Sequence, residues 1–194
     1  MLNILCILFL VTTKRITASL YNYEFHGADW SEICSTGIKQ SPINIDTSRT
    51  IDKDNKPFYL RGFNDFINGG IAANNGHTVQ ISAHDINNIR IDGDGLKSTY
   101  YISQFHFHWS NKDGEGSELL VNNVASELEM HVVANRGDNR TINEDSLAVF
   151  SFRFKVAKYK NVSSFNKFEK MLLKILPKVT GIGDKVPTEP FKLN

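Results

Sequence analysis

Short runs of alternating polar and apolar residues, separated by Gly, Asn and Asp, make up most of this chain. Residues 78–83 alternate after Asn74-Asn75-Gly76, and residues 89–91 form a second run ended by Asp92-Gly93-Asp94-Gly95. Period-two alternation bounded by such turn formers predicts β-strands. Stronger strand signals fall on residues 100–109, 125–134 and 147–156, which are rich in aromatic and β-branched side chains. One segment has helical spacing instead: Phe165, Phe168, Leu172, Ile175 and Leu176 recur at three and four. Ser163 or Ser164 is its expected cap, and Pro177 stands near its end. The predicted class is mainly β with a peripheral helix.

The strand period also assigns faces. In Gln104-Phe105-His106-Phe107-His108-Trp109, the residues Gln104, His106 and His108 share one face. Phe105, Phe107 and Trp109 share the other, which should be core. Glu129, His131 and Val133 share a face of the next strong strand. Residues 110–118 between them are rich in Gly, Asn and Asp, so the two strands can turn back on each other as an antiparallel pair. That pairing would bring His131 beside His106 and His108. Three neutral imidazoles with an open fourth position suit catalytic zinc. Gln104 and Glu129 each stand two residues before a histidine on the same face, the place for a partner to the second ring nitrogen. Spacing alone leaves other readings open. His-x-His pairs occur in cupins and other metal enzymes, and a strand histidine is often simply hydrogen-bonded. Zinc is the leading metal if the site is one.

Composition narrows the class only a little. A length of 194 residues suits one domain, and a domain of that size buries roughly 70% of its unfolded surface. With 22% charged residues and a net charge of +1, no block of like charge points to a nucleic-acid partner. Residues 2–11 are apolar except for Asn3, which is too short for the roughly 20 residues of a membrane span. Residues 1–18 therefore read as a secretory signal peptide, with Ile16-Thr17-Ala18 before Ser19 as the cleavage site. Lys14 and Arg15 follow the apolar run where a signal usually places its charge first. Export would remove Cys6 and leave Cys34 as a lone thiol. The acceptor triplets at Asn139 and Asn161 agree with a secreted glycoprotein.

Taken together, these residues resemble the alpha carbonic anhydrases. The resemblance rests on Gln-Phe-His-Phe-His-Trp at 104–109, Gly116-Ser117-Glu118, and Glu129-Met130-His131-Val132-Val133. Gln40-Ser41-Pro42-Ile43-Asn44-Ile45, Asn74-Asn75-Gly76-His77, the aromatic region from Tyr23 and His26-Gly27 to Trp30, and Leu147-Ala148-Val149 extend it. It implies a large, mostly antiparallel central sheet with peripheral helices over residues 19–194. It further implies reversible hydration of carbon dioxide to bicarbonate by zinc-bound hydroxide, outside the cell. His106, His108 and His131 would be the zinc ligands and His77 the proton shuttle. Glu118 would orient a gatekeeper threonine. Val133 and Val149 would line the substrate pocket, and Tyr23, Asn75 and Gln80 would order its water.

The sequence departs from that pattern in places. The family's later segment, with the gatekeeper threonine, further strands and a cysteine able to pair with Cys34, does not follow Asn194. Leu119 stands where many members carry histidine. These departures imply a chain lacking the C-terminal section, with an unpaired sheet edge and no disulfide partner for Cys34. They keep open a second reading, a catalytically weak or silent extracellular binding module.

Overall fold

The computed structural model describes residues 25, 28–30, 33–54, 57–93, 95–112, 114–137, 145–155 and 165–193. The expected signal segment, Tyr23, Asn139, Asn161, Ser163 and Ser164 lie outside these residues. Among the described residues the strands are β1 (Asn44–Ile45), β2 (Phe58–Arg61), β3 (Ile71–Asn74), β4 (Val79–Ser82), β5 (Arg90–Gly93), β6 (Tyr100–Trp109), β7 (Leu120–Val121), β8 (Leu128–Arg136), β9 (Leu147–Phe154) and β10 (Lys185–Pro187). The helices are the short α1 (Ile33–Thr36) and α2 (Lys167–Ile175). The mainly β class read from the sequence is the class observed, as is the large antiparallel sheet that the resemblance implies.

Eight of the strands form the main sheet, every pairing in it antiparallel. β6 is its axis. One edge of β6 pairs with β8 along nearly its whole length, and β8 pairs in turn with β9. The other edge is shared, with β5 against Tyr100 and Tyr101 and β4 against Phe105 and His106. Beyond β4 lie β3 and β10; beyond β5 lies β2. β9 has β8 as its strand partner among the described residues. β1 and β7 make a separate parallel pair. It is closed by Asn122 and Asn123, both at positive φ and both bonded to the segment after β1 or to β1 itself. Asparagine tolerates that left-handed backbone better than most residues.

Alternation in β6 is interrupted once. The register shifts between Ile102 and Gln104, so Ile102 faces Ala134 whereas Gln104 faces Val133. This bulge lets Ile102 and Phe105, three residues apart, both enter the one hydrophobic core. Beneath the sheet, Phe105 packs on Phe107, Phe168 and Phe191 with ring centroids 5.5–6.0 Å apart. α2 supplies Phe168 to that cluster and buries Met171, Leu172 and Ile175 on the same stripe, as its spacing predicts.

Three local expectations need correction. Trp109 is not core; at the end of β6 it is 41% exposed. The helix is capped by Asn166, not by Ser163 or Ser164. Asn166 Oδ1 accepts from Glu169 N and Glu169 Oε2 accepts from Asn166 N, a reciprocal pair that satisfies two free amides at once. The strand expected at 125–134 starts at Leu128 and runs to Arg136. Ser126 N donates to Ser117 Oγ, so this stretch bonds to the loop before it joins the ladder.

Replacing Asn166 with Ala is expected to cost about 1 kcal/mol by removing the cap. Urea denaturation of the variant should show a lower midpoint with an unchanged slope.

Candidate metal centre

The centre stands on the face of the sheet opposite the phenylalanine cluster. In the β6–β8 ladder, Gln104 faces Val133, His106 faces His131 and His108 faces Glu129. Cross-strand neighbours share a face, so this register alone places three imidazoles together. Their ring centroids are 5.0 Å apart for His106 and His108, 5.3 Å for His106 and His131, and 4.6 Å for His108 and His131. One nitrogen from each ring falls within 4.8 Å of the other two, close enough to hold one metal ion.

The outward nitrogens are held from behind. Gln104 Oε1 lies 2.9 Å from His106 Nδ1, Glu118 Oε1 3.3 Å from His108 Nδ1, and Glu129 Oε1 3.0 Å from His131 Nε2. The geometry therefore leaves His106 and His108 to present Nε2 and His131 to present Nδ1, which lies 3.9 Å from Glu118 Oε2. Rings oriented in this way, each through its second nitrogen, match what metal-binding histidines require. The donor set, three imidazoles and no thiolate, fits a borderline divalent ion such as zinc.

Glu129 is wholly buried, and a buried carboxylate must be paired. Its Oε1 accepts from His131 and from the Ser151 hydroxyl. Its Oε2 accepts from the backbone of Glu118 at 2.7 Å and of Leu119 at 3.0 Å. Burial pushes the Glu129 carboxyl up, but bonds from His131, Ser151 and Leu119, with the charge of His131, together bring it down to about 2. Burial also acts on His106 and His108, where the neighbouring imidazole of His131 adds to it, and both fall to about 4. Both rings are thus neutral at physiological pH, the form a metal needs.

The loop after β6 is shaped to deliver those amides. A Cβ on Gly116 would lie 1.9 Å from Glu127 O, so only glycine lets the two backbones approach. Ser117 Oγ donates to Leu119 O and accepts from Ser126 N, closing the turn.

The remaining expected site residues are placed as follows. Asn75 Oδ1 accepts from His77 N and Thr78 N, so its side chain caps its own turn. His77 is partly buried, and burial lowers its imidazole from the ordinary value. Thr78 ties this turn to the centre: its hydroxyl donates to Phe107 O and accepts from Phe107 N, between the two histidines of β6. Gln80 faces His106 across the β4–β6 ladder and donates to Ser82 Oγ at 3.0 Å. Val133 faces Val149 across β8 and β9; Val133 is partly buried and Val149 is 52% exposed. Tyr23 lies outside the described residues. Cys34 is an exposed free thiol. Among the described residues no helix is long and apolar enough to cross a membrane.

Sequence reasoning overlooked Ser151 and Thr78. Ser151 interrupts the apolar run of β9 opposite His131, and a serine at such a position is the signal that could have exposed it.

A family model described as eukaryotic-type carbonic anhydrase matches residues 26–194. The chain is 37% identical over 138 residues to carbonic anhydrase 4 of Oryctolagus cuniculus, an alignment covering 68% of this chain and 44% of that protein. It is 31% identical over 153 residues to carbonic anhydrase 4 of Mus musculus, covering 78% of this chain and 47% of that protein. The matched region thus spans less than half the length of these relatives.

Acid should destabilise the metal-free protein through this centre. His106 and His108 take up protons near pH 6.5 when unfolded but only near pH 4 when folded. Stability is complete above about pH 6.5 and is lost as pH falls towards 4, where the unfolded chain binds more protons. Thermal midpoints of chelator-treated protein across that window should fall, and His106→Asn with His108→Asn should flatten the fall.

Proposed function

Because the chain belongs to the eukaryotic-type carbonic anhydrase family, we propose that it binds zinc through His106, His108 and His131 and catalyses the reversible hydration of carbon dioxide to bicarbonate. The observation that carries this reading is the convergence of three imidazole nitrogens within 4.8 Å, each ring held through its other nitrogen. Bound zinc would supply an acidified water as nucleophile near neutral pH, an effect for which carbonic anhydrase is itself the type case.

The protein's own residues have distinct tasks. Gln104, Glu118 and Glu129 fix the three rings, so that the ligand nitrogens are presented with little freedom to lose on binding. Neutral His106 and His108 offer lone pairs at physiological pH without competition from a proton. Val133 and Val149 provide an apolar wall beside the ligands, which suits an uncharged, apolar substrate. Hydration releases a proton, and an imidazole that titrates near neutrality is suited to carry it away. His77 is the residue for that step, because Thr78 anchors its turn to the strand bearing two of the ligands. Asn75, Gln80 and Tyr23 would order the water it works through. The apolar residues 2–11 support an extracellular setting.

The purified protein should bind one zinc per chain and accelerate carbon dioxide hydration. His131→Ala should abolish both, measured by metal content and stopped-flow pH change; full hydration activity in that variant would sink the reading. His77→Ala should retain zinc yet turn over more slowly, with recovery when free imidazole is added as a substitute proton carrier.

A further inference from the structure

Ser151 stands on β9 directly opposite His131, yet its hydroxyl reaches past that neighbour to the diagonal position and donates to Glu129 Oε1. That oxygen already accepts from His131 Nε2 at 3.0 Å. The other carboxylate oxygen is held by the amides of Glu118 and Leu119. Those amides belong to a loop locked by the contact of Gly116 with Glu127 O. Backbone groups and His131 thus hold the carboxylate on three further sides, and Ser151 adds a second donor at Oε1. What Ser151 changes is the division of charge at Oε1.

We propose that Ser151 is a positioning residue that tunes the metal centre through Glu129, its hydroxyl drawing electron density from the oxygen that holds His131 and so moderating the grip of His131 on a bound ion. The inference rests on the metal-site reading above. A carboxylate oxygen shared by two donors is a weaker acceptor for each of them. An imidazole whose far nitrogen donates to a weaker acceptor is a less basic ligand. Ser151 is exposed on β9 and is not a member of the hydrophobic core cluster.

The test compares the unaltered protein with Ser151→Ala and Ser151→Thr. In the metal-free proteins, NMR of nitrogen-labelled histidine reads the His131 Nε2 proton. That resonance should move downfield in Ser151→Ala as the bond to Glu129 strengthens, and should stay in place in Ser151→Thr, which keeps a hydroxyl. Competition for zinc against a chelator should show about tenfold tighter binding for Ser151→Ala, the lower end of the effect of outer partners on metal affinity. Ser151→Thr should bind as the unaltered protein does. Unchanged or weaker zinc binding in Ser151→Ala would overturn the proposal, as would Ser151→Thr behaving like Ser151→Ala. Absence of zinc binding by the unaltered protein would instead remove the metal-site reading, and the proton resonance would then decide the role of Ser151 by itself.

Discussion

A single carboxylate with no solvent exposure, Glu129, sets the terms for the rest of the site. A buried charge is tolerated only where its lone pairs are met. The partners that meet them come from three separate places: the loop after β6, β8 itself, and β9. Satisfying Glu129 therefore fixes the loop, the orientation of His131 and the seating of β9 at once. Gly116 belongs to the same demand, since no larger residue would let the loop backbone come near enough to deliver its amides. Removing one of these donors would be felt beyond its own bond, because the others hold the same group.

The opposite face of β6 carries the mechanical load. Phe105 and Phe107 lie beneath the histidines and pack on each other, and Phe105 packs in turn on Phe168 of α2 and on Phe191. Close packing of this kind leaves little room for a strand to shift. The two histidines on the upper face take their spacing from the extended backbone, and the apolar cluster on the other face holds that strand in place. Thr78 adds a second restraint, bonding both backbone groups of Phe107 and stitching the turn that carries His77 to the same strand.

Electrostatics and access follow from the same arrangement. Burial of His106 and His108 beside a third imidazole discourages protonation, which leaves these two rings neutral and their lone pairs open to a cation. The polar end of the face, from Gln104 to Glu129, is closely bonded. The apolar end at Val149 and Leu147 is open, on a strand with one strand partner among the described residues.

Much of this was legible in the sequence, because it is local. Period-two alternation determined that Gln104, His106 and His108 share a face and that Phe105 and Phe107 share the other. It also determined that His131 follows Glu129 on one face of its own strand. The three-and-four spacing of Phe168, Leu172 and Ile175 determined the buried stripe of α2. Tertiary structure decided what depends on distant partners. The bulge between Ile102 and Gln104 shifts β8 by one residue, so that His131 faces His106 and both lie on the open side. A one-residue slip would have sent the whole histidine set to the other face, and nothing within β6 announces where the slip is absorbed. Trp109 obeys the alternation and is still 41% exposed, because none of the described residues covers the end of β6 where it sits. Ser151, Leu119 and Thr78 acquire their roles from bonds to residues 10 to 29 positions away. Periodicity describes which way a side chain points; only the folded chain determines what it meets there.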